Sequence, residues 1–159
     1  MKYAVIAAAL LSFSTSAQAS GDHAGGHNES GNIGEAGTKN KVTQTIMVTM
    51  KEMDDGKMVF MPANIQVKEG QTVSFQIRNS GQSDHEFVFN TENEILEHKK
   101  VMEKFPEMEH DDPNAIRLKA GQTGTIIWKF SKAGVFTFAC LIPGHYDAGM
   151  HGQISVNQK

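Results

Sequence analysis

Near its C-terminus the chain reads Val135-Phe136-Thr137-Phe138-Ala139-Cys140-Leu141-Ile142-Pro143-Gly144-His145-Tyr146-Asp147-Ala148-Gly149-Met150, which puts a thiol, an imidazole and a thioether within eleven residues at the end of a strand-like run. Three such donors on so short a loop constrain the backbone. It has to leave a strand at Cys140, double back at Pro143-Gly144 to present His145, and turn again at Gly149 to bring Met150 beneath a metal. Pro and Gly are the residues that allow both turns. Thiolate and thioether select soft ions such as Cu(I), imidazole also suits Cu(II), and a His₂Cys set with a long axial Met is the arrangement of mononuclear electron-transfer copper. The loop therefore points to copper and requires a second histidine from elsewhere in the chain.

Each donor taken singly has a plainer reading: Cys140 as a small buried hydrophobe, His145 as a loop residue, Met150 as core filler. Zinc fits less well, because structural zinc sites close with Cys and His and Met is a poor partner for that ion. A binuclear copper loop would need a second cysteine, and the chain has one.

The N-terminus bears on the same question. Met1-Lys2-Tyr3, the apolar run Ala4 to Leu11 and the small residues Ala17-Gln18-Ala19 have the three regions of a secretory signal, so residues 1–19 are expected to be removed and the mature chain to start at Ser20. The apolar run is too short to span a bilayer, and no membrane anchor is expected. The signal carries Lys2 as its only charge, so its removal takes the formal charge from −3 to −4. That balance weighs against nucleic-acid binding. An exported protein meets an oxidising compartment in which cysteines are usually paired, and metal occupancy accounts best for a lone Cys140.

From Ser20 to Lys41 the sequence is rich in Gly, Asn and Ser with little apolar content, and it is expected to be a flexible tail. His23 and His27 in that tail could form a weak metal site. The domain itself is expected over residues 42–159. Ile46, Val48 and Met50 share one face of a strand; Met58 to Phe60, Ile65 and Val67 form short strand pieces around Pro62; Val73, Phe75 and Ile77 share a face, as do Ile126, Trp128 and Phe130. The loop Ser80 to Asp84 delivers His85 at the head of Glu86-Phe87-Val88-Phe89, which is where the missing imidazole is needed. Thr91-x-x-Glu94 is a capping box, with Ile95, Met102 and Phe105 at helical spacing up to Pro106, so a helix over about 92–104 is inserted in an otherwise β chain. Phe136, Phe138 and Cys140 fall on one face by period-two parity. About 115 ordered residues in seven or eight strands make an all-β, Greek-key β-sandwich.

With His85 and the Cys140-x4-His145-x4-Met150 loop in place, the chain resembles the cupredoxins, the small type 1 copper proteins, over roughly residues 42–157. The His-bearing tail, His85-Glu86-Phe87, Met108-Glu109-His110-Asp111-Asp112-Pro113-Asn114 and Ala139-Cys140-Leu141-Ile142-Pro143-Gly144-His145-Tyr146 together look like the periplasmic copper-tolerance cupredoxins of Gram-negative bacteria. The resemblance implies that Cys140 Sγ and the Nδ1 atoms of His85 and His145 bind copper in a plane, with Met150 Sδ axial. It departs at Glu86, where many cupredoxins have an Asn that pins the Cys loop by hydrogen bonds.

Two functions follow from such a site. One is handling of Cu(I) in copper tolerance, by capture alone or by capture and oxidation in the periplasm, which the Met and His residues outside the type 1 set would serve: Met47, Met50, Met53, Met58, Met61 and His151, and a candidate second copper site of His98, Met102, Met108 and His110. His98 and Met102 lie four apart on the helix and could share one soft ion. The other is one-electron transfer to an unidentified redox partner through the apolar loop beside His145. Both suit a monomer. A multicopper oxidase or nitrite reductase is not supported, since the chain has no His-x-His segment and no room for a second such domain. No motif places an acid–base pair beside a pocket, so the chain is not expected to be an enzyme, and cuprous-ion oxidation is the one reaction left open to it.

Overall fold

A computed structural model describes residues 33–108 and 112–159, so the expected signal over 1–19, the tail histidines His23 and His27, and His110 lie outside the described residues. Among the described residues ten strands and one α-helix, besides a short 3₁₀ turn at Lys39–Lys41, follow in the order β1 (Gly34–Ala36), β2 (Gln44–Glu52), β3 (Met58–Met61), β4 (Asn64–Lys68), β5 (Thr72–Asn79), β6 (His85–Asn90), α1 (Glu92–Lys104), β7 (Ala115–Leu118), β8 (Thr123–Phe130), β9 (Gly134–Ala139) and β10 (His151–Asn157). They form two five-stranded sheets, β1-β8-β5-β2-β3 and β4-β10-β9-β6-β7. All neighbours are antiparallel except β2 with β5 and β4 with β10. The chain passes from one sheet to the other between β3 and β4, at the Pro62 break that splits the two strand pieces.

The expected parities hold. Val48 and Met50 of β2, Val73, Phe75 and Ile77 of β5, Ile126, Trp128 and Phe130 of β8, and Phe136 and Phe138 of β9 are all buried in one core between the sheets. Aromatic rings fill that core in tilted and edge-on pairs: Phe60 with Phe87 and Phe138, Phe75 with Phe87, Phe89 and Phe130, and Phe89 with Trp128. Such geometries add to the area these rings remove from water.

The ordered structure begins earlier than the tail expectation had it. Ile33 is fully buried in the core, Gly34–Ala36 pair with β8, and Gly37 N–H donates to Ile127 O at 2.8 Å. A single apolar residue among Gly and Asn carries no periodicity, so this edge strand is created by its partner β8. Gly34 has φ 147°, and a Cβ there would run into Lys129 O. Only glycine fits.

α1 has the expected bounds, and its capping box is formed: Glu94 N–H donates to Thr91 Oγ1 at 3.4 Å and Thr91 N–H to Glu94 Oε2 at 3.3 Å. Its buried residues Ile95 and Met102 pack with Val88, Ala139 and Leu141, on the face of the second sheet turned away from the main core. Phe105 does not join them. It caps the helix with φ −133° and ψ 67°, and its ring is 57% exposed, because the chain has already left helical geometry ahead of Pro106.

Candidate metal centre

The donors come from three places that the sandwich brings to one end. His85 opens β6, Cys140 follows the last residue of β9, and Met150 precedes the first residue of β10. Strands β6 and β9 are paired, Val88 opposite Ala139, so the start of β6 and the end of β9 arrive together. Between Cys140 and Met150 the loop folds on itself as its Pro and Gly residues require. His145 N–H donates to Ile142 O at 3.0 Å, Ala148 N–H to Gly144 O at 3.0 Å and Gly149 N–H to Tyr146 O at 2.9 Å. Gly144 and Gly149 take φ of 86° and 98°, values that side chains disfavour. Cys140 N–H then donates to Met150 O, and Met150 N–H to His145 O, each at 3.0 Å, so the loop closes with Met150 against Cys140.

The result is a cluster of donor atoms. His85 Nδ1 and His145 Nδ1 are 3.3 Å apart, Cys140 Sγ is 3.3 Å from His145 Nδ1, and all three atoms lie within 4.8 Å of one another. His85, Cys140 and Met150 are fully buried, while His145 is half-buried beside the exposed Pro143 and Gly144. Burial pushes the Cys140 thiol up to about 12, against the N–H groups of Glu86 and Ile142 that favour the thiolate. Burial also lowers both imidazoles, with the two rings further disfavouring each other's charge at His145. A buried thiol beside two imidazoles whose charged forms burial disfavours can give up its proton in exchange for a cation. Two nitrogens and a sulfur, with a buried methionine at the end of the same loop, match copper in type and number.

Glu86 does what an Asn at that position was expected to do. Its backbone N–H donates to Cys140 Sγ at 3.3 Å, and its side-chain Oε2 accepts the Leu141 N–H at 3.2 Å, tying the first histidine's strand to the cysteine loop. Burial raises the Glu86 carboxyl, opposed by the Leu141 N–H and the nearby Arg117. A carboxyl oxygen can accept as an amide oxygen does, which the residue identity alone obscured.

Two further residues escaped the sequence reading. Asn79, at the end of β5, donates from Nδ2 to Ser83 O at 2.8 Å and Leu118 O at 2.9 Å and accepts from Gly81 N–H at 2.9 Å, shaping the loop that delivers His85. Its Asn-Ser-Gly context was a turn signal that could have marked it. Glu52, at the end of β2, lies 3.0 Å from His85 Nε2. No local pattern marks it, since the two are brought together across the sandwich.

Of the second candidate set, His98, Met102 and Met108 are among the described residues and His110 is not. Met102 is packed into the small cluster beneath α1, His98 is half-buried on the helix, and Met108 is exposed beyond it. His151 stacks on Tyr146 with ring centroids 4.5 Å apart, next to the ligand loop.

Comparison with known proteins agrees with this geometry. The family described as copper binding proteins, plastocyanin/azurin family, matches residues 47–157. The copper-resistant cuproprotein CopI of Rubrivivax gelatinosus is 41% identical over 98% of this chain and 99% of its own length, and the protein of that name from Pseudomonas aeruginosa is 35% identical over 64% of this chain and 72% of its own. An auracyanin B structure superposes with a TM-score of 0.62 at 20% identity, covering 79% of this chain and 96% of that one, and the dithionite-reduced auracyanin of Roseiflexus castenholzii with 0.60 at 21% identity, covering 72% and 98%. These two show the fold. The family match covers most of the chain, including the His85, Cys140 and His145 cluster and the loop that ends in Met150: the chain belongs to the copper-binding proteins of the plastocyanin/azurin family.

Proposed function

We propose that His85 Nδ1, Cys140 Sγ, His145 Nδ1 and the Met150 thioether would hold one copper, and that the protein serves copper tolerance in the periplasm. The observation that carries the ligand assignment is the approach of the three donor atoms to within 4.8 Å in a buried site. Bound copper supplies a one-electron Cu(II)/Cu(I) couple. The chain contributes a donor set held by backbone hydrogen bonds and by Glu86, so either oxidation state meets the same ligands and little has to move. His145, the half-buried ligand, is the point at which an electron would pass to a partner protein. The tolerance role rests on the near full-length likeness to a copper-resistant cuproprotein, and the periplasmic location on the signal read from residues 1–19. Among the described residues no helix is long and apolar enough to cross a membrane.

The test has two parts. Copper-loaded Cys140→Ser is expected to lose the intense visible absorption of a Cu(II)–thiolate bond while its far-ultraviolet spectrum stays that of a β-sandwich; persistence of the colour would overturn the ligand assignment. Cu(I) titration separates tolerance from plain electron carriage. Binding of more than one Cu(I) per chain, reduced by one in a His98→Ala, Met108→Ala, His110→Ala triple variant with an unchanged visible spectrum, supports metal handling. A single Cu(I) in both proteins would return the molecule to the electron carriers.

A further inference from the structure

The β2–β3 hairpin carries none of the four proposed ligands, yet it is fastened to both halves of the site. On β3, Met58 N–H donates to Ala148 O at 3.0 Å, within the turn that leads to Met150. On β2, the Glu52 carboxylate accepts from Gln82 N–H through Oε2 and from Ser83 N–H through Oε1, both at 2.9 Å, in the loop that delivers His85. The same Oε1 lies 3.0 Å from His85 Nε2. The His85 side chain is wholly buried and that of Glu52 is 24% exposed.

The ring nitrogens of His85 therefore have different surroundings. Nδ1 faces His145 and the cysteine loop, whereas Nε2 faces the carboxylate and has no other hydrogen-bond partner among the described residues. The Nε2 contact is at ion-pair distance without the alignment of a full hydrogen bond. Gly81 makes the approach possible, since a Cβ there would run into Glu52 Oε2 and come within 2.9 Å of His85 Nε2. Metal-bound histidines commonly hand their second N–H to a carboxylate, which selects the tautomer, orients the ring and raises its basicity.

We propose that Glu52 is a positioning residue of the metal centre: its carboxylate holds the proton of His85 on Nε2, leaves the Nδ1 lone pair facing Cys140 and His145, and as a fixed negative charge one ring from the site favours the cupric over the cuprous state. This rests on the assignment of His85 as a ligand. A residue that only stapled the loop would act through Gln82 and Ser83 and leave the ring's tautomer and the potential alone.

The experiment compares wild-type protein with Glu52→Gln and Glu52→Ala, using Glu35→Gln as control because Glu35 is an exposed carboxylate paired with Lys129 on the β1–β8 edge. In metal-free protein, nitrogen-15 NMR is expected to find the His85 ring as the Nε2–H tautomer in the wild type and a mixture of tautomers in Glu52→Ala. In copper-loaded protein, Glu52→Gln is expected to weaken Cu(II) relative to Cu(I) about tenfold, read by voltammetry as a rise of about 59 mV for a one-electron couple, with no change in Glu35→Gln. A wild-type tautomer on Nδ1, or a Glu52→Gln potential equal to that of the wild type, would overturn the proposal. Should Glu52→Ala fail to fold, the isosteric Gln variant and the wild-type tautomer still decide it. Absence of thiolate-to-copper absorption in the wild type would instead strike at the ligand assignment, so the two failures are distinguishable.

Discussion

At the scale of single residues, the site is governed by what burial does to Cys140. Its thiol is pushed by desolvation from an ordinary 9.0 up to about 12, which extends the pH range over which the metal-free protein keeps it protonated. Copper must displace that proton, and binding therefore strengthens as pH rises. The metal-free fold responds in the opposite sense. Between the two values the unfolded chain has lost the thiol proton and the folded chain keeps it, so stability is complete below about 9 and is lost as pH climbs toward 12. The loss reaches roughly 2 kcal/mol by about pH 10.5, at about 1.4 kcal/mol per unit. Denaturant titrations of metal-free wild type and Cys140→Ser at pH 8 and pH 10.5 are expected to show this additional loss in the wild type alone, and parallel losses would contradict it.

At the scale of elements, α1 rests on the sheet beside the ligand loop and is held there by two kinds of contact. Ile95 and Met102 bury themselves against Val88, Ala139 and Leu141, the last being the residue after the cysteine. Outside them Lys99 reaches Asp147 at 3.2 Å and Glu103 at 2.6 Å and lies 5.8 Å from the centre of the Tyr146 ring. The exposed ion pairs look like a clamp on the loop, but water and side-chain entropy cancel most of their attraction. Burial dominates. Met102→Ala is expected to cost about 2–5 kcal/mol in chemical denaturation, because a cavity remains under a helix that cannot fully collapse, whereas Lys99→Ala should leave the midpoint almost unchanged. The reverse order would mean that the charges and not the packing seat the helix.

At the scale of the whole molecule, the core and the metal site are one construction. Phe87 stands two residues after His85 and Phe138 two before Cys140, and their rings meet at 5.3 Å. The strands that carry the donors are thus locked by the aromatic cluster immediately beneath them. Phe87→Ala is expected to lower the stability of the metal-free protein by about 3–5 kcal/mol. Copper should restore part of that, since a ligand bound only by the folded state stabilises it by about 4 kcal/mol at a thousandfold excess over its dissociation constant. Thermal unfolding of the variant with and without copper tests both statements; a melting temperature that copper does not move would contradict the link between site and fold.

What the amino-acid order determined by itself is the part of this protein written in local signals. Period-two alternation assigned the buried faces of β2, β5, β8 and β9, the Thr91–Glu94 box placed the start of α1, and Gly144 and Gly149 marked the turns that bring Cys140, His145 and Met150 together. Each of these depends on neighbours a few residues away. The tertiary structure decided the remainder, because it depends on which distant segments meet. Ile33 to Ala36 became ordered only by pairing with β8, nearly a hundred residues later, and Phe105 turned outward where the helix gives way to Pro106. Glu86 acquired its role from the distant Leu141 N–H, and Glu52 its place from β2 ending beside the Ser80–Asp84 loop. A carboxylate in a sequence gives no sign of its partner: the hydrogen bonds that define Glu52 and Glu86 span tens of residues, and the chain has to fold before either finds what it holds.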